Sequence, residues 1–102
     1  MTASIRLLVI AIVVILACPA LAVTDCSRPK TKIDWLMCSN DRLQFADALM
    51  ASAFRDAFNR TEDRDALLED QARWRTTVRD ACNDVPCLMK AFQDRTSALE
   101  TY

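Results

Sequence analysis

The sequence predicts an all-α fold: a small three-helix antiparallel bundle, stapled by two disulfides and preceded by a cleaved N-terminal signal peptide. Three observations predict it. The 102-residue chain holds no glycine and no histidine, yet it is rich in alanine and charged side chains. Its apolar positions recur at spacings of three and four, the period of a helix with one buried face. Four of its cysteines fall in two close pairs, Cys26 with Cys38 and Cys82 with Cys87.

The leader comes first. Arg6 precedes an apolar run from Leu7 to Ala17, and Pro19 and Ala20-Leu21-Ala22 follow. A basic start, an apolar stretch and small residues make a secretory signal peptide, with cleavage expected between Ala22 and Val23. Residues 1–22 are then the leader and 23–102 the single mature domain. An uncleaved anchor is one alternative, but a spanning helix needs ~20 apolar residues and this run is shorter. A lipoprotein signal is the other, with Ile15-Leu16-Ala17-Cys18 as the lipidation box and Cys18 as the lipidated residue. Either cleavage takes Cys18 out of the pairing set and leaves an even four. The mature chain is expected to be periplasmic or secreted, with no membrane span.

Composition excludes several chemistries. Without the leader, 12 basic residues face 14 acidic ones, too even a balance for nucleic-acid binding. Without histidine there are no histidine triads or imidazole metal sites. Without glycine there are no phosphate-cradling loops or nucleophile elbows. No cofactor is expected and no enzyme activity.

Three helical stretches are expected. Lys30–Cys38 forms a short turn or helix, and Ser39 then caps a long helix over Asn40–Asn59. That helix buries Leu43, Ala46, Met50, Ala53, Phe54 and Ala57. The second follows Thr61 as N-cap, with Glu62, Asp63 and Asp65 in its first turn. Its stripe is Leu67, Gln71, Trp74, Val78, Ala81 and Cys82. The third starts near Asp84, with Pro86 in the first turn, where a missing N–H costs little. It buries Leu88, Ala91, Phe92 and Leu99, and its stripe extends toward Tyr102. The connections are short, so sequential helices run antiparallel and all four cysteines meet at one end. An exported chain meets an oxidising compartment, where thiols pair. Three connectivities are possible. The two local pairings are preferred, since each closes without the other. A four-thiolate zinc site is the alternative.

The ordered residues resemble the N-terminal domain of the LprI-type lysozyme inhibitors, small exported bacterial proteins. The pattern runs Asp25-Cys26, Cys38, then Leu43, Asp47 and Phe54. It continues with Gln71 and Trp74, Val78-Arg79-Asp80 before Cys82, Cys87-Leu88, Phe92, Arg95 and Leu99. It spans nearly the whole mature chain. Ala46 stands where that family usually has leucine, Phe54 and Phe92 where it has tyrosine, and Thr96 where it has an aliphatic residue. The resemblance implies an all-helical exported domain and inhibition of lysozyme. It carries no inhibitory residue to any position here.

Individual residues admit two readings each. Leu43, Phe54, Gln71, Trp74, Val78, Leu88, Phe92 and Leu99 read as structural core. Trp35, inside the first cysteine pair, either packs or is displayed. Asp47, Arg79 and Arg95 read as structural ion pairs or solvated charges rather than catalysts. The expected partner is a lysozyme or another envelope protein. Two ends of the bundle compete as the contact surface. One holds the cysteines, with Lys32, Trp35 and Asp84. The other is an acidic turn with Glu62, Asp63 and Asp65, suited to a basic enzyme.

Overall fold

A computed structural model of the protein describes residues 25–102. The expected signal peptide, its cleavage site and Cys18 lie outside the described residues. The described chain is all-α and carries two disulfides, Cys26–Cys38 and Cys82–Cys87.

The three-helix expectation is corrected. Four α-helices are present: α1 (Lys32–Cys38), α2 (Asp41–Arg60), α3 (Arg64–Trp74) and α4 (Val85–Glu100), with a π-helical turn over Arg75–Arg79. The extra helix is the segment inside the first disulfide loop. Thr31 and Asp34 form a capping box that starts α1, each satisfying a backbone donor near the other. Ser39 ends that helix rather than beginning the next, and its hydroxyl donates to the Leu36 carbonyl. Asn40 is the N-cap of α2: its backbone is extended, and its side chain accepts from the Arg42 and Leu43 amides. One cap for each helix therefore separates the two axes, and the cap of the longer helix is Asn40 where Ser39 is expected.

α2 buries Leu43, Ala46, Met50, Ala53, Phe54 and Ala57 on one face. The start of α3 is also corrected. Asp63, not Thr61, is its N-cap and accepts from the Ala66 amide at 3.0 Å. Thr61 instead accepts from the Asp63 amide and shapes the turn. Glu62 and Asp63 thus precede the helix, and only Asp65 lies in its first turn.

Val78 was expected in the core and is 44% exposed. The π turn is the reason. It acts as a one-residue insertion into an α-helix and moves the inward register on by one. Arg79 becomes the partly covered position in place of Val78, and Cys82 is buried while Ala81 is exposed. The hydroxyls of Thr76 and Thr77 occupy the Ala72 and Arg73 carbonyls, back-bonding that favours such a distortion.

Asp84 caps α4 by accepting from the Cys87 amide, and Pro86 sits in its first turn. Tyr102 lies past the helix end and is exposed.

α2 and α4 pack against each other in parallel. The end of α2 reaches the end of α4, where Arg60 donates to the Leu99 carbonyl at 3.1 Å. α3 runs the other way alongside α4: Asp70 meets Arg95, and Trp74 meets Phe92 at 5.8 Å between ring centroids. The result is an up–down–up bundle with α1 laid on the start of α2. Leu43, Leu67, Leu88, Phe92 and Leu99 are fully buried, each contributing roughly 1.5–3 kcal/mol by leaving water.

Candidate functional site: the disulfide-held end

The parallel start points of α2 and α4 place both disulfides at one end of the bundle. Two segments project there, Cys26–Cys38 and Cys82–Cys87. The Lys32 ammonium donates to the Asn83 side-chain oxygen, joining the two loops non-covalently.

α1 has two faces. Ile33 and Met37 are buried against the bundle, while Trp35, two residues from each, points the other way and is 64% exposed. Helix geometry requires this, because successive residues turn by about 100°. The indole is thus displayed, on a helix tied down by a disulfide behind it and a capping box in front.

The charges around it are ordered by the backbone. Asp34 accepts from the Lys30 amide at 2.9 Å and from the Thr31 amide at 3.2 Å. The Lys30 amide is the main cause holding its carboxyl below the usual aspartate range; burial is the next largest influence and opposes it, and the Thr31 groups and Arg79 add to the lowering. At the chain start, hydrogen bonds from the Ser27 hydroxyl and amide hold Asp25 low. A shallow pocket of about 300 Å³ lies between α1 and the π turn, lined by Thr31, Lys32, Ile33, Asp34, Arg79 and Asp80. Arg79 is not free to serve it, since its Nε is paired with Asp80 at 2.9 Å.

Asp47 stands behind this region, half-buried on α2. Burial pushes its carboxyl above the usual range, opposed by the fields of Arg79 and Arg75. The expected pairing among Asp47, Arg79 and Arg95 takes another form. Among the described residues, no ion pair joins Asp47 to either arginine, and Arg95 pairs with Asp70 at 3.0 Å.

Arg95 is the buried centre of a polar network in the bundle. Its Nε donates to Gln71 Oε1 at 2.7 Å, and the Gln71 amide nitrogen donates to the Met50 sulfur at 3.2 Å. The guanidinium lies 6.0 Å from the centroid of the Trp74 ring, and its Nη2 is buried without a hydrogen-bond partner. Gln71, Trp74 and Arg95 therefore join α3 and α4 inside the fold.

Two of the expected contact residues are occupied structurally. Asp84 and Asp63 are helix caps. The acidic turn lies at the opposite end of the bundle from the cysteines, with Glu62, Asp63 and Asp65 exposed. Arg64 pins that turn: its guanidinium sits 4.6 Å from the Phe58 ring centroid and its Nε donates to the Phe58 carbonyl.

The four cysteines among the described residues are all in disulfides, so the four-thiolate zinc site is not formed. Among the described residues no other cluster of metal-ligating side chains is present, and no helix is long and apolar enough to cross a membrane.

One surface feature was missed in the sequence. Phe45 and Leu49 lie on the outer side of α2 and, with Met89 of α4, line an open groove of about 690 Å³. The signal was there in the spacing of four between two large apolar residues outside the buried stripe. No family model, curated protein or solved structure matches this chain.

Proposed function

We propose that this is an exported binding protein of the lysozyme-inhibitor type. It docks on a lysozyme and blocks the substrate cleft without chemistry of its own. The observation that carries the reading is Trp35, displayed on a short helix that a disulfide and a capping box hold in place. A preordered projection loses little entropy on binding, and tryptophan is the residue type most often found as an interface anchor. The residue pattern shared with LprI-type inhibitors supports the choice of partner. The exposed acidic turn at the other end supports long-range attraction to a basic enzyme.

The test is lysozyme activity on cell-wall substrate, with the purified oxidised protein added. Inhibition is expected, together with a binding loss of about 2 kcal/mol or more for Trp35→Ala at unchanged thermal stability. An oxidised protein that leaves every lysozyme class fully active sinks this reading. A second reading, an interaction module of the envelope without inhibition, is favoured by the groove between α2 and α4, whose lining does not include Trp35.

A further inference from the structure

We propose that the α2/α4 groove is a self-association surface, covered by a second copy of this chain with the two α2 helices antiparallel about Leu49. Phe45 is 66% exposed and Leu49 49% exposed. Both face the groove with Met89, Gln93, Thr96 and Ser97, so its centre carries no charge. An uncharged centre with charges only at its margins is the composition of an interface rather than of a solvated face.

The occupant follows from the order of residues on α2. Arg42, Phe45, Leu49, Ser52 and Asp56 repeat at three and four, the spacing of a helix–helix seam. Ala48 and Ser52 are small and exposed, which lets a second helix approach closely. Arg42 and Asp56 each stand one heptad from Leu49, on opposite sides. A twofold axis at Leu49 therefore sets Arg42 of one copy against Asp56 of the other, twice in each dimer. Among the described residues neither side chain is in an ion pair within its own chain. Isologous pairing needs such self-complementarity, and a two-copy assembly closes on it. Trp35 is not among the residues that line the groove. The inference does not depend on the identity of the partner that Trp35 would meet.

The experiment is sedimentation velocity on the oxidised protein, as its host produces it, over a range of concentrations. A reversible dimer is expected. Leu49→Asp should leave a monomer with an unchanged helical circular dichroism signal. Arg42→Asp and Asp56→Arg should each weaken the dimer about tenfold or more, because each sets like charges opposite one another at two places. Both substitutions also suit their helix ends, an acid near the start of α2 and a base near its finish, so folding is retained. The combined Arg42→Asp/Asp56→Arg chain should regain the dimer, which a merely structural role for either residue does not explain. A protein that is monomeric at every concentration overturns the proposal, as does a dimer indifferent to Leu49→Asp or a double variant that stays dissociated. A monomer that binds a fluorescent acyl-chain probe, displaced by Leu49→Asp, also overturns it and gives the groove to an apolar ligand.

Discussion

The two ends of the bundle are held by different forces. At the disulfide end, two covalent loops, a capping box and a Lys32–Asn83 contact hold the projecting segments. At the acidic end nothing is covalent. Asp63 caps α3, Arg60 ties α2 to the end of α4, and Arg64 lies over Phe58. Fully buried Leu67 and Leu99 lie just inside that end. The difference shows where a small helical domain needs crosslinks. The acidic turn joins two helices directly over the core and can rely on packing. The first disulfide loop, by contrast, rests on a seven-residue helix that buries only Ile33 and Met37, too little to order it alone.

The comparison is tested most strongly by removing the staples. The chain-entropy model assigns roughly 3 kcal/mol to Cys26–Cys38 and about 2 to Cys82–Cys87. Reduction of both should therefore destabilise the fold by about 5 kcal/mol. Hydrogen exchange should find α1 and the π turn opening first, with α2 and α4 still protected. Equal loss of protection at both ends would mean that the staples serve the whole core.

Leu67→Ala probes the opposite end. It removes a fully buried side chain and should cost about 2–5 kcal/mol, read from urea midpoints with the disulfides intact. Its effect should be global, because no crosslink isolates that end. Arg64→Ala comes next, at about 1 kcal/mol from the lost ring contact and carbonyl bond. Loss of protection in that case should be confined to the turn between α2 and α3.

The smallest expected effect concerns Asp47. Its folded-state value is raised by burial. Just above the ordinary aspartate range the folded state thus keeps a proton that the unfolded chain has released. Stability falls as pH rises through that window, and at neutral pH the buried charge is a cost. Asp47→Asn should be more stable than the parent at neutral pH, with the advantage vanishing once both states are protonated. Asp25 and Asp34 are shifted downward by hydrogen bonds and act with the opposite sign. Their stabilisation is present above the ordinary range and lost as the pH falls. A neutral-pH loss in Asp47→Asn would show that Arg75 and Arg79 outweigh burial.

Part of this molecule is legible in one dimension. The face of α2 and most of the face of α4 follow from spacing, since a regular helix repeats its inward positions whatever it packs against. Gln71 and Trp74 lie on the inward stripe of α3 for the same reason. The local disulfides follow from short separations within an end that the topology assembles. Asp84 is a readable cap because its residue type and the proline two places on agree.

Other features were decided only in three dimensions. Val78 turned outward because a π turn breaks the period, and residues 75–79 carry no pattern that distinguishes that turn from an α-helix. α2 starts at Asp41 because Asn40 took the cap that Ser39 was expected to hold, a contest between two adjacent residues of similar preference. Asp63 won in the same way over Thr61. Arg95 entered the core because α3 presented Gln71 and Asp70 to it, and a charge can be buried only when partners converge from another element. Period, composition and short-range pairing are properties of the chain itself. A register shift, the choice between neighbouring caps and the burial of a charge depend on what lies across the interface.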